Sequence, residues 1–369
     1  MKIERIEQFH VAMRLKSFFE TSFGREDVTE KVIVAVYADG LVGYGESPVE
    51  KNPFYSYESV ETVWYVQRDH LIPMLLGQTI NHAADVPAAL AHVRGHNMAK
   101  AGLEAALWDI EAQQAGVSVA KLLGHSRDRI DSGVSIGIQD SVEDLLDKIE
   151  AYTAEGYQRV KIKIKPGWDA ATVEQVRARF PDICLMVDAN SAYTLADAPM
   201  LRVLDGFNLL MIEQPLAHDD ILDHAELQKQ LKTRLCLDES IHTVGRAREA
   251  LALKACQIIN IKPARVGGMT NARAIHDICA AQNIPVWCGG MLETGIGRAH
   301  NVAIASLPNF TLPGDISASD RYWQEDIVDP PFALNSDGTI TVPTAPGLGV
   351  SVLRDRLEKA SLRRADYRS

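Results

Sequence analysis

Five apolar runs in the middle of the chain each end in a charged residue, at an almost constant interval. RVKIKI, ICLMVDAN, LLMIEQP, RLCLDES and QIINIKP carry Lys163, Asp188, Glu213, Asp238 and Lys262, spaced by 25, 25, 25 and 24 residues. SGVSIGI precedes the series, and IPVWCGG and FTLPGD follow it. Between the runs lie segments of helical periodicity at 141–155, 170–180, 195–205, 220–231, 244–254, 270–282 and 297–307. Strand–helix repetition of this kind implies parallel strands joined by helical crossovers. Eight apolar runs with seven helical segments predict a closed TIM-like (β/α)7β barrel. A strand's side-chain period of two puts Cys184, Met186 and Asp188 on one face, and Leu209, Met211 and Glu213 likewise. The same rule groups Lys161 with Lys163, and Asn260 with Lys262. In a barrel these side chains converge at the C-terminal mouth.

The flanking regions have another character. KVIVAVYADGLVGYGE alternates about Asp39-Gly40, a two-residue hairpin signal, so the first 45 residues read as antiparallel sheet. Helical stretches follow at about Glu58–Leu76 and Met98–Ala115, the second stopped by Gly116. The expected organisation is an α+β capping domain over 1–127, with lid loops near 17–25 and 48–57. The barrel then covers 128–322, and a tail at 323–369 packs back on the cap.

Net charge excludes one class of partner: 38 lysines and arginines against 49 acids give −11, which repels nucleic acid. No run approaches the ~20 apolar residues of a membrane span, and MKIERIEQFH lacks a signal peptide's apolar core. Cys184, Cys236, Cys256, Cys279 and Cys288 are odd in number and set in apolar context. They are expected to be buried free thiols in a reducing cytoplasm.

Three acids and three lysines in one mouth need a physical reason, since each unpaired buried charge costs several kcal/mol. Carboxylates one strand apart can surround a hard divalent cation, and oxygen ligands favour Mg²⁺, with Mn²⁺ as substitute. Such a cation stabilises negative charge on a substrate carboxylate when a lysine removes the adjacent α-proton. Lysines on either side of the acids can approach opposite faces of the substrate. The ammonium of Lys161 and the cation are expected to lower the pKa of Lys163. Plain salt bridges across a barrel are the alternative, but they give no reason for a constant repeat.

The segments KIKIKPGWD, VDANSAY, IEQPL, CLDES, NIKPARVGG and WCGGMLETGIGRAHN resemble the enolase superfamily, muconate-lactonising-enzyme subgroup. Within it the chain is similar to the o-succinylbenzoate synthase / N-succinylamino acid racemase family, from SFFETSFG to GDISASDRYW. A lysine or histidine base beside Mg²⁺ is a general property of that superfamily. The resemblance implies Asp188, Glu213 and Asp238 as metal ligands, Lys163 as base on one face and Lys262 as the lysine on the other. Lys165 abuts Pro166-Gly167 and reads as a solvated loop lysine. Asn190 and Glu239 would support the ligands by hydrogen bonds. Ser135, Lys161, Asn190, Gly289, Gly290, Met291 and Arg265 are expected at the substrate. Phe19 and Phe23 resemble a lid over the mouth, and Pro53–Tyr57 a second lid segment.

The reaction so implied is dehydration of 2-succinyl-6-hydroxy-2,4-cyclohexadiene-1-carboxylate, a menaquinone-pathway step, by α-proton abstraction to an enediolate. The alternative is racemisation of N-succinylamino acids, with Lys163 and Lys262 alternating as acid and base. Family members are commonly homo-oligomers. One other enzyme class is open: Gly133-Val134-Ser135-Ile136-Gly137 matches the G-x-S-x-G serine-hydrolase elbow, with His218 and His300 downstream. That reading leaves the charge repeat unexplained.

Overall fold

The computed structural model describes residues 1–369. Strands Ile3–Thr21, Gly24–Ala38 and Leu41–Ser47 form an antiparallel sheet, with the C-terminal strand Ser361–Arg368 on its outer edge. Asp39 and Gly40 both take positive φ, +51° and +77°, and make the tight turn the sequence signals. Helix Asn97–Gln114 lies on this sheet. A Cβ on Gly43 would meet Ile110 at 2.6 Å, and one on Gly45 would meet the Ala106 nitrogen at 2.8 Å. Glycine there sets how closely helix and sheet approach.

Seven parallel strands follow: Gly133–Ile136, Arg159–Lys163, Leu185–Asp188, Ile212–Glu213, Leu235–Leu237, Ile258–Ile261 and Val286–Cys288. They pair in sequence order, each joined to the next through helical segments. The eighth run differs from expectation, because FTLPGD forms no regular strand. Pro313 cannot donate a ladder hydrogen bond and Gly314 has no side chain to pack, so the segment touches both edges only at isolated bridges. Phe310 bridges Val286 and Gly314 bridges Ser132, which closes the barrel. Inside, Met186, Met211, Cys236, Ile258 and Trp287 form a layer of their own beneath the mouth. Cys184 corrects the cysteine reading: all five thiols are free, but Cys184 is exposed, because it precedes the strand at the open N-terminal end of the barrel.

Two buried carboxylates tie the cap to the barrel. Glu104, on the cap helix, accepts from the Met269 and Thr270 amides at 2.5 and 3.0 Å, at the start of helix Met269–Ala280. Glu46, near the end of the third strand, accepts from the Thr294 hydroxyl at 2.6 Å and the Gly297 amide at 2.9 Å, where helix Gly295–Ala305 begins. Helix N-termini present unpaired donors, which these acids satisfy. Burial nevertheless pushes both carboxyls up to about 7.

Candidate active site

Parallel pairing puts strand ends level: Lys163 is opposite Asp188, and Asp188 opposite Glu213. Asp238 and Lys262 immediately follow their strands. The charged repeat therefore forms an arc around the mouth, three acids in the middle and one lysine at each end. Over it lies a cavity of about 140 Å³, floored by Ser135, Lys161, Lys163, Asn190, Lys262, Gly290, Met291 and Asp315. Its roof and walls come from the cap, including Phe19, Phe23, Lys31, Glu50, Phe54 and Tyr55.

The charges are paired locally. Lys163 Nζ donates to Asp188 Oδ2 at 2.6 Å and Asn190 Oδ1 at 2.7 Å. Lys161 reaches Asp188, Glu213 and Asp315 at 3.2, 3.0 and 2.5 Å. Burial works against the Lys161 charge, but these three carboxylates outweigh it and hold its pKa above the usual lysine value. Lys161 thus stands beside Lys163 as an ammonium already paired with three carboxylates. Lys262 Nζ meets Asp238 Oδ2 at 2.9 Å and the Tyr55 hydroxyl at 3.0 Å, and stands 4.3 Å from the Tyr55 ring centroid. Burial opposes its charge too, and Tyr55, Glu239 and Glu213 overcome that to raise its pKa. Desolvation would raise Asp188, yet Lys163 and Lys161 keep it well below the ordinary carboxylate range. Glu213 goes the other way, pushed up by burial and then by Asp188.

As the side chains stand, no three His, Cys, Asp or Glu groups are gathered into one ion site. This departs from the expected ring of carboxylates. Acids so deeply buried must have positive charge beside them, and lysine and arginine supply it: Lys161 spans Asp188 and Glu213, while Lys262 and Arg265 hold Asp238. The donor chemistry still fits a hard divalent cation. Three carboxylates sit at adjacent strand ends, and beside them Glu239 has one oxygen with no hydrogen-bond partner. Burial and the Asp188 charge push the Glu239 carboxyl up to about 7. Asn190 Nδ2 donates to the other Glu239 oxygen at 3.0 Å and so links it to Lys163.

Several expected contacts lie elsewhere. Arg265 does not line the cavity. It is buried behind it, bonded to Asp238, to the Ile241 and Asn260 carbonyls and, at 3.3 Å, to the Tyr55 hydroxyl. Gly289 does not face the cavity either; a Cβ there would meet Lys262 Cε at 2.7 Å, so its bareness makes room for the lysine. Lys165 is not simply solvated. It pairs with Glu20 of the first lid at 3.3 Å, while Arg25 joins Glu20 and Asp140 at 2.7 and 2.5 Å. The same lid donates from Ser22 to the Asn190 carbonyl at 3.0 Å and accepts at the Glu20 carbonyl from Ile138 at 2.9 Å. Gly137 permits that contact, since a Cβ would stand 2.6 Å from the Glu20 oxygen.

The hydrolase reading fails on geometry. Ser135 Oγ has no hydrogen-bond partner, and no histidine lines the cavity. His300 is buried against the Ile296 and Ala105 carbonyls, with burial lowering its pKa to about 4.

Sequence reasoning missed Asp315, Tyr55 as an individual residue, and Lys31. Asp315 ends the eighth run, so extending the charge repeat by two units, past the uncharged end of the seventh run, would have found it. Asn260 Nδ2 donates to Glu213 Oε1 at 2.7 Å, from the face it shares with Lys262.

Comparison with known proteins agrees with this geometry. Residues 4–124 match the family described as Mandelate racemase / muconate lactonizing enzyme, N-terminal domain, and residues 144–356 match Enolase C-terminal domain-like. An o-succinylbenzoate synthase of Geobacillus kaustophilus is 52% identical over 97% of this chain and 96% of its own length. An N-succinylamino acid racemase of Amycolatopsis sp. is 50% identical over 98% of each chain. The solved structure of an enolase-superfamily member from Listeria innocua superposes with a TM-score of 0.95 at 42% identity, covering 100% of this chain and 99% of that one. Members of this superfamily generally bind a divalent metal. With both family domains matched and relatives at half identity over nearly its whole length, the chain belongs to the mandelate racemase / muconate lactonizing enzyme family of the enolase superfamily.

Proposed function

We propose that this enzyme is an Mg²⁺-dependent o-succinylbenzoate synthase that also racemises N-succinylamino acids. The observation that carries the reading is the pair of lysines, Lys163 and Lys262, lining one cavity from the two ends of an arc of three acids. Asp188, Glu213 and Asp238 would hold the metal, Mg²⁺ with Mn²⁺ as substitute, which when bound supplies Lewis-acid stabilisation of negative charge on a substrate carboxylate. Lys163 takes the α-proton, and Asn190 fixes its Nζ through the 2.7 Å hydrogen bond. In the dehydration Lys163 returns the proton to the departing hydroxyl, and Lys262 stays an ammonium beside the developing charge. In the racemisation Lys262 delivers or removes the proton on the opposite face. The aromatic lid residues exclude water from the enediolate.

The test is turnover of 2-succinyl-6-hydroxy-2,4-cyclohexadiene-1-carboxylate, followed by absorbance with Mg²⁺ and with EDTA. Fast turnover that EDTA abolishes is expected. Absence of turnover by folded, Mg²⁺-loaded protein would overturn the synthase. One observation favours the racemase as the main activity in that event: the Amycolatopsis racemase is nearly as similar, 50% against 52%. No helix is long and apolar enough to cross a membrane. The free thiols support a cytoplasmic setting, and family resemblance supports a homo-oligomer, which sedimentation would check.

A further inference from the structure

Five cations line the cavity: Arg25, Lys31, Lys161, Lys163 and Lys262. Four have a carboxylate oxygen within 2.9 Å. Lys31 is the exception. It lies on the cap strand Gly24–Ala38 and is 1% exposed, yet no carboxylate comes within 4.0 Å of its ammonium. Its single hydrogen bond is a long one, 3.4 Å to the Val49 carbonyl. Glu26 and Glu50 line the same wall but are not neutralised by it, since burial leaves both carboxyls raised despite the Lys31 charge. A buried ammonium with two or three donors unused is costly unless something fills them. Here the open side is the substrate cavity itself.

We propose that Lys31 is the specificity-determining residue that takes the distal carboxylate of a dicarboxylate substrate. This rests on the reading above, in which one substrate carboxylate lies among the barrel acids and a second ends the succinyl arm. The cavity is then two-ended: reacting groups rise from the barrel floor, the aromatic walls hold the middle of the substrate, and the cap supplies one unpaired cation. A charge-assisted hydrogen bond of this kind favours the arm's carboxylate over a neutral end by about 10- to 150-fold.

The experiment compares N-succinyl-, N-succinamoyl- and N-acetyl-L-phenylalanine with the Mg²⁺-loaded wild type and Lys31→Met. Expected is a preference of the wild type for the carboxylate over the carboxamide by about that factor, mostly in KM. Lys31→Met should lose that preference, and its succinyl-to-acetyl ratio of kcat/KM should fall by the same factor. Equal wild-type kcat/KM for carboxylate and carboxamide, or an unchanged ratio in Lys31→Met, would overturn the assignment. Should Lys31→Met fail to fold by thermal melting, the wild-type comparison and Lys31→Arg decide, the arginine being expected to keep the preference. Should the wild type turn over no succinyl substrate, the catalytic reading falls, and calorimetric binding of the same acid and carboxamide still tests Lys31.

Discussion

The cap is attached to the two sides of the barrel mouth by different chemistry. Over the first and second strands, on the Lys163 side, the lid is held by two hydrogen bonds to backbone carbonyls, Ser22 to Asn190 and Ile138 to Glu20, and by ion pairs of the partly exposed Lys165 and Arg25 with Glu20 and Asp140. Such pairs are each worth little and weaken with salt. Over the sixth and seventh strands, on the Lys262 side, Glu104 and Glu46 cap helix N-termini in full burial. Breaking one of those leaves buried donors without partners. The difference predicts a moving edge and a fixed edge for one cavity. Substrate is expected to enter beside Lys163, while Lys262 lies at the other edge with Tyr55 against it.

The largest effect that can sharpen this contrast is chemical. Lys163→Ala should remove dehydration and racemisation alike, by about 10²–10⁴-fold or more. Lys262→Arg keeps the charge but loses the usable base, and should reduce racemisation about 100-fold while dehydration falls less than about tenfold. Equal losses in both reactions would dissolve the division between the two lysines. Next, Glu104→Ala strands the Met269 and Thr270 amides and should cost about 3 kcal/mol in denaturant unfolding. A loss no larger than that of Lys165→Ala would break the fixed-edge reading.

The fixed edge also has a pH signature. Glu46 and Glu104, raised to about 7, hold protons in the folded state that the unfolded chain releases near the ordinary 4.5. Stability therefore falls as pH rises from about 4.5 to about 7 and levels off above that. Melting temperatures across this window should show the slope, and Glu104→Gln should flatten it. At the moving edge, Gly137→Ala would press on the Glu20 backbone and hold the lid off, raising KM roughly tenfold with the fold intact, as ~1–3 kcal/mol of overpacking implies. The smallest effect is ionic: KM should rise about twofold between about 0.05 and about 0.5 M salt, while Glu104-dependent stability stays level.

The barrel and its arc of charge were legible because strand period and repeat length are local properties of the chain. Asp188, Glu213, Asp238 and the two lysines could be placed on one rim without knowing any contact. The direction of a side chain just past a strand end is not local. Arg265 and Gly289 each follow a strand closely, yet one folds back under Asp238 and the other supports Lys262. Lys31, Glu46 and Glu104 belong to the cap, and what they meet lies far off in sequence, 248 residues away for Glu46 and Thr294. The local pattern of strand or helix around them says nothing of the barrel surface they face. The eighth run was misjudged because its apolar content resembles a strand while Pro313 and Gly314 prevent one.

That irregular eighth segment leaves the barrel with a seam. Closure there relies on a few backbone contacts, among them Gly133 to Gly314 and Asp315 to Cys288, both at 2.8 Å. Asp315, on the seam, grips Arg159 at 2.7 Å and Lys161 at 2.5 Å, both from the second strand. Where the other strands are stitched by their ladders, this joint is riveted by side chains that also set the electrostatics of the active site. Wear on the rivet would be felt in both places at once, as faster amide exchange along 309–315 and as a looser grip on the acids at the heart of the mouth.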